Sequence, residues 1–559
     1  MTRFTTRPRP RSLPPSRRSL LLSRRTILAG GGGLGLAAFL AACSNDSGGS
    51  STDGLGENVE FEWPSYVPFE GPEPDLPGTE DGVNPGFLTY PALADLVATH
   101  AAPPGDGQPV TAMTPLTGET RPTMDVNTWW QHLNGKLGSP LDLQLVPISD
   151  YQNVFQTTTA SGAMPDLFTI YSAPRLPEML EQMAVDLTDY VAGGAIEAYP
   201  NLANIPTAAW QACTYNGRIR TLPLWRGIRT STLLYQRTDI LTDLGLPTEY
   251  ADFEEFLEVA KEVTDPAQGR WAFSNPPSDF IRQSLGIGKS WLLEGDTVVS
   301  AWADERQEEF FEAGRRIMEA GLVHPDGFTG TNYKERLVAG QAVFLDDSVS
   351  AWGGLYTRSA GLENADTFAV DGVRVFNFAE GYTGAPWRHT DVNEQCGVGI
   401  SAESRIETVL AVADFLAAPI GSQEKLAASY GEEGVHFTMV DDYPERTETG
   451  TAEWLNLGLL MNGPFEIEQP GYPQAVTDQH AFQTYLADNA VRSIADGLYV
   501  ESLVSEGAAL ELTMEDTTNE ILQGRADPAG WSAAVDDFLL NGGEEIAADI
   551  ASAYQAAKS

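Results

Sequence analysis

The sequence predicts an α/β protein from about Pro109 onward, and three observations carry that reading. Short runs in which apolar and polar residues alternate, such as Leu141 to Val146, are followed by windows whose apolar residues recur every three or four positions. The steps are short and repeated, the pattern of parallel strands joined by crossover helices. About 450 residues follow the leader and its linker, which is enough chain for two to three domain-sized cores.

The leader comes first. Ser23-Arg24-Arg25-Thr26-Ile27-Leu28 is followed by an uncharged glycine-rich stretch and then by Leu40-Ala41-Ala42-Cys43. A basic start, an apolar segment too short to span a bilayer stably and small residues before one cysteine form an export signal. The arginine pair resembles a twin-arginine signal, and the last four residues resemble the bacterial lipobox. Residues 1–42 are therefore expected to be removed, leaving Cys43 as an acylated N-terminus on the outer face of the cell membrane. No later run of 18 or more apolar residues competes for a membrane role. Residues 43–107 are rich in Gly, Ser, Pro, Asp and Glu and read as a tether, but Phe61, Trp63, Tyr66 and Phe69 are too apolar for a pure linker, so part of the segment is expected to pack back on the body.

Charge narrows the partners. The first 42 residues hold eight arginines and no acid, so without them 26 basic residues face 78 acidic ones, a net charge of −52. Such a body repels nucleic acid and anionic lipid. With so many carboxylates, two acids close in sequence carry no information about a glycosidase site. Beyond Cys43 the cysteines are Cys213 and Cys396, which either pair in an oxidising compartment or stay as two buried thiols.

The body follows in order. Val110 to Met113 reads as a strand, and Asp125 to Leu137 as a helix with Trp129, Trp130, Leu133 and Leu137 at helical spacing. A second strand covers Leu141 to Val146, a helix runs from about Tyr151 to Gly162, and Pro165 to Ile170 starts the next strand. Asp252-Phe253-Glu254-Glu255 opens a helix with a capping box. Another runs from about Glu305 to Ala320, stopped by Gly321, and the tail from Trp531 repeats the helical period to Ile550 with a break at Gly542-Gly543.

Several blocks then look familiar. Ala160-Ser161-Gly162-Ala163-Met164-Pro165-Asp166-Leu167, Val185 to Tyr190, Leu234 to Leu241 with Leu244-Gly245-Leu246-Pro247, Ala339 to Phe344, Gly397 to Ser401 and Tyr430 to Phe437 resemble, in that order, elements of the family 1 extracellular solute-binding proteins. These are the sugar receptors of ABC importers, and the last block is similar to the subgroup of LipO-like and alginate-binding receptors. The resemblance covers residues 108 to 555 and implies a periplasmic-binding-protein-like fold: two α/β lobes joined by crossing hinge strands around a ligand cleft. It places lobe 1 at 108–235 with 397–435, lobe 2 at 236–396 with 436–525, and C-terminal helices at 526–559. The crossovers are expected near Tyr235 to Thr238, Cys396 to Ile400 and Gly434 to Phe437. The calcium loop of the alginate-binding relatives has no counterpart around Tyr171 to Val185, so no metal and no cofactor are expected.

A cleft for sugar needs aromatic platforms for C–H faces and planar polar groups for hydroxyls. Trp225-Arg226 and Trp387-Arg388 combine both at the ends of apolar runs, and Trp352 sits beside Gly353-Gly354. The expected ligand-binding set is therefore Trp225, Trp352 and Trp387 with Asp166, Arg226, Arg229 and Arg388, and its arginines admit an acidic sugar such as a uronate. Enzyme signals are thin. Gly286-Ile287-Gly288-Lys289-Ser290 has Gln283 where a phosphate loop needs its first glycine, and neither Gly-x-Ser-x-Gly nor His-Glu-x-x-His occurs.

The expected function is a lipid-anchored monomeric receptor that binds an oligosaccharide by closure of two lobes and delivers it to ABC permease subunits, without catalysis. The alternatives are a secreted polysaccharide lyase or glycoside hydrolase, and a surface adhesion lipoprotein.

Overall fold

Nine short strands, most of them buried, organise the chain into two mixed sheets, each with a hydrophobic core on either face. The computed structural model describes residues 59–558 apart from 172, 364, 390, 391 and 393. The leader and Cys43 lie outside the described residues. The strands of the two sheets are β1 (Val110–Leu116), β2 (Leu141–Pro147), β3 (Leu167–Ile170), β4 (Thr221–Pro223), β5 (Thr232–Arg237), β6 (Trp271–Phe273), β7 (Ala342–Ser348), β8 (Val370–Gly372) and β9 (Gln395–Val398).

The first lobe is built on the order β2-β1-β3-β9-β4. Strands β1, β2 and β3 run parallel, linked by helices α1 (Thr128–Leu137) and α2 (Ile148–Ser161), as β-α-β units require. Strand β9 returns from far down the chain and inserts antiparallel between β3 and β4, with Cys396 opposite both Thr169 and Leu222. Alternation along β1 sends Val110 and Ala112 into one core with Trp129, Leu133 and Trp210, and Met113 into a second core with Tyr151 and Phe168. The second lobe has the order β8-β5-β7-β6, in which only the β6/β7 pair is parallel. The expectation of parallel pairing therefore holds for the first three strands and gives way to mixed sheets, because strands arriving by long crossovers enter in either direction.

Helix α3 (Phe253–Val263) starts where its sequence says: the Asp252 carboxylate accepts from the Glu255 amide at 3.0 Å, and the Glu255 carboxylate accepts from the Ala251 amide at 2.8 Å. It packs Phe256 among Phe273, Phe280 and Phe344, and the tail brings Trp531, Val535, Phe538, Ile546 and Ile550 into that same core, so the C-terminal helices are part of the second lobe.

The lobe boundaries differ from the sequence expectation. Tyr235 lies in the interior of β5 and Cys396 in the interior of β9. The chain therefore crosses earlier, through a tight turn at Gly227–Thr230 and through the stretch ending at Glu394. Residues 436–461, expected in the second lobe, bury Phe437, Tyr443, Leu455, Leu457, Leu460 and Met461 against the first, and the third crossover follows them.

A strap of residues 59–107 binds the two lobes from outside the sheets. Phe61 and Trp63 pack on the first-lobe core, and Gly193 donates to the Glu62 carbonyl at 2.8 Å. Further on, Val83 enters the core of the second lobe, the Asn84 amide donates to Gln483 Oε1 at 2.8 Å, and Gly86–Phe87 pairs in parallel with Ile467–Glu468. Phe87, Tyr90 and Leu96 then return to the first lobe with Ile420 and Tyr430. At the first crossover the Ile228 amide donates to the Gly82 carbonyl at 3.1 Å. Gly227 has φ +60°, and a Cβ there would sit 2.4 Å from that same carbonyl oxygen, so close approach and backbone both require glycine.

Candidate ligand cleft

A cavity of about 1260 Å³ lies between the lobes at the end where β1 and β7 finish: Thr117 follows β1, and Ser348 closes β7. Crevices outside the carboxyl ends of strands are where open α/β sheets bind ligands. The first lobe supplies Arg226, Glu394 and the wall from Leu416 to Met461. The second supplies Ser350, Gly353, Gly354 and Tyr356, and the third crossover runs along the floor from Phe465 to Tyr472.

The floor is a network of buried charge. Glu466 accepts from the Ile420 amide with both carboxylate oxygens, at 2.9 and 2.8 Å, and burial pushes it up to about 7 against the opposing pull of Lys425. Burial likewise raises Glu468, which accepts from the Tyr430 hydroxyl at 3.3 Å. Lys425 Nζ donates to Asn462 Oδ1 at 3.0 Å. The Arg446 guanidinium lies between two rings, 4.9 Å from Tyr430 and 4.0 Å from Trp454, and donates to the Ser429 carbonyl at 2.7 Å. Burial lowers its proton affinity. Trp454, Phe465 and Tyr472 are the half-buried aromatic rings of the wall.

Of the residues expected from sequence, Arg226 lies on this wall. It pairs with Glu394 at 3.2 Å and donates to the Gly458 carbonyl at 3.1 Å. The three tryptophans do not. Trp225 is 8% exposed in the first-lobe core, Trp352 is 1% exposed with its ring 5.4 Å from Tyr235 and 6.0 Å from Phe482, and Trp387 is 7% exposed with Nε1 donating to the Ile287 carbonyl. Asp166 precedes β3 and so sits at the far end of the sheet, where it accepts from the Thr111 amide and hydroxyl and from the Ser401 hydroxyl. Arg388 is buried off the wall against Gly82. The side chain of Arg229 lies outside the described residues. Cys213 and Cys396 are both free and buried, and among the described residues no group of His, Cys, Asp and Glu has the arrangement of a metal site.

Sequence reasoning missed Trp454 and the Glu466-Ile467-Glu468 floor. Both occur in segments without periodicity, and the one available signal was the alternation of acid and apolar residue through 466–468 beside Phe465.

No protein-family model matches the chain. In sequence it is 22% identical over 512 residues to lipoprotein LipO of Bacillus subtilis (strain 168), a match that spans 84% of this chain and 98% of LipO. In structure it is similar to an HMO-binding, ABC-transporter-associated solute-binding protein from Bifidobacterium longum infantis, with TM-score 0.61 and 13% identity over 81% of this chain and all of that one. The N-glycan transport solute-binding protein NgtS of Streptococcus pneumoniae matches with TM-score 0.59 and 16% identity, over 81% of this chain and 99% of that chain. Alginate-binding protein AlgQ2 matches with TM-score 0.54 and 14% identity, over 82% of this chain and all of that one.

Proposed function

We propose that this chain, which has the two-lobed fold of ABC-transporter solute-binding proteins, is an extracytoplasmic lipid-anchored receptor that captures an oligosaccharide and hands it to a permease. The observation that carries the reading is the cleft itself: it lies between lobes joined by crossing segments and is larger than the roughly 300–1,000 Å³ typical of small-molecule sites. Its wall offers the two kinds of surface a sugar presents. Trp454, Phe465 and Tyr472 supply aromatic surface for C–H groups, and Arg226, Ser348, Ser350, Asn462 and Gln469 give donors and acceptors for hydroxyls.

Capture works by hinge closure about the three crossovers. Two side chains also tie the lobes together. The Glu501 carboxylate accepts from the Arg175 amide at 2.8 Å, and the Tyr499 hydroxyl accepts from the Leu176 amide at 3.1 Å, while Val500 between them is anchored in the second-lobe core. These ties part when the lobes open. The leader motif and the likeness to LipO support export and acylation at Cys43. Among the described residues no helix is long and apolar enough to cross a membrane.

The test is a thermal-shift screen of oligosaccharides on protein lacking residues 1–43, followed by analysis of the bound sugar. A cognate ligand at about 100 times its Kd adds about 2.7 kcal/mol by mass action. A shift with the sugar recovered intact supports the receptor. Cleavage products support the carbohydrate-active enzyme instead.

A further inference from the structure

We propose that the cleft selects neutral oligosaccharides and discriminates against uronates and other acidic sugars, an inference that deepens the receptor reading and rests on it. The arginines of the sequence had admitted an acidic sugar. Each described cation of the wall makes a contact within the protein itself, Arg226 with a carboxylate and the others with neutral groups. Arg226 is held by Glu394 and by the Gly458 carbonyl. Lys425 donates to Asn462 Oδ1 at 3.0 Å. Arg446 is stacked between Tyr430 and Trp454, and Arg121 donates to the Thr451 carbonyl at 3.2 Å.

Five acidic side chains share the same wall: Glu394, Asp441, Glu445, Glu466 and Glu468. A uronate brought to Arg226 would place a second carboxylate on a guanidinium that already has one, in a cavity that Asp441 and Glu445 also line. Two anions on one partner leave one of them unpaired in a partly desolvated cleft, and like-charge juxtaposition of that kind is what excludes wrong partners at interfaces. The same acids suit a neutral sugar. A carboxylate is acceptor-only and takes the protons of adjacent hydroxyls in charge-assisted bonds, which are the stronger kind. The charge arrangement thus sorts ligands by whether they bring donors or further negative charge.

The experiment uses calorimetry on the chain purified from the cell surface, with oligogalacturonates and the same oligosaccharides after carboxyl reduction, alongside a panel of neutral plant, host and microbial oligosaccharides. The expected result is that the carboxyl-reduced member of a pair binds about tenfold tighter than its uronate, or that only neutral members bind. Two variants reverse the discrimination: Glu394→Gln frees Arg226, and Glu445→Gln removes one exposed acid where folding is not at stake, so each raises uronate affinity relative to wild type. Uronates binding as tightly as their reduced partners, with neither variant changing the ratio, overturns the proposal while leaving the receptor intact. Failure of all sugars of both kinds overturns the receptor reading and this inference with it.

Discussion

Glu466 is a carboxyl whose burial is a standing cost to the fold, and Glu466→Gln should remove it. The residue is 9% exposed, is raised from its ordinary value of 4.5 to about 7 chiefly by loss of solvent, and has its carboxyl engaged by a backbone amide that a glutamine oxygen accepts equally well. The folded protein therefore holds this proton more tightly than the unfolded chain. Below about pH 4.5 both states are protonated and the cost is absent; it grows as pH rises through about 7 and is constant above. The interval from 4.5 to about 7, at 1.36 kcal/mol per pH unit, is worth about 3 kcal/mol. Urea titrations of wild type and variant at about pH 4.5, 6 and 8 measure it: the variant should match wild type in acid and exceed it by about 3 kcal/mol in base. A stability gap that does not change with pH, or a wild type that is the more stable of the two at pH 8, would mean that burial of Glu466 carries no such cost.

Four further outcomes follow from the same geometry. Asp414 is fully buried, accepts from the Asn201 and Leu202 amides at 2.9 and 2.8 Å and faces His100 at 3.0 Å, so Asp414→Ala should cost about 3–5 kcal/mol in chemical denaturation. Trp454→Ala should weaken the best ligand of the screen about tenfold in calorimetry, whereas Trp352→Phe should lower Tm and leave Kd alone; the opposite pattern would return Trp352 to the cleft. Glu501→Ala, by removing one tie between the lobes, should lengthen the interlobe distance read by paired spin labels, and an unchanged distribution would mean the tie holds nothing. Cys213 and Cys396, each pushed up to about 12 by burial, should resist maleimide in the native protein and both react after denaturation without reductant.

Periodicity explains what could be read in advance. Val110, Trp129, Leu133 and Leu167 stand at strand and helix spacing because they face one core, and the Asp252–Glu255 box marks a helix start through bonds made within five residues. The cleft has no such local grammar. Its wall joins Thr117, Ser348, Trp454 and Glu466, residues from distant segments brought together by the crossovers, and no period links them. Trp352 lies off the wall for a local reason: the helix Trp352–Ser359 begins beside Gly353-Gly354 and turns the indole inward onto Tyr235 and Phe482. Trp225 and Trp387 misled because the end of an apolar run reads as an edge, whereas each such end is roofed by another layer.

The strap of residues 59–107 also sets limits on how this molecule is cut and recombined. Val83, Phe87, Tyr90 and Leu96 are buried in cores that belong to opposite lobes, so a version trimmed to start at β1 loses hydrophobic mass from both and uncovers the Gly227 turn. Anyone moving the two halves onto a different carrier, or building a fluorescent sensor from them, has to transplant that belt along with them as an integral piece of the machine.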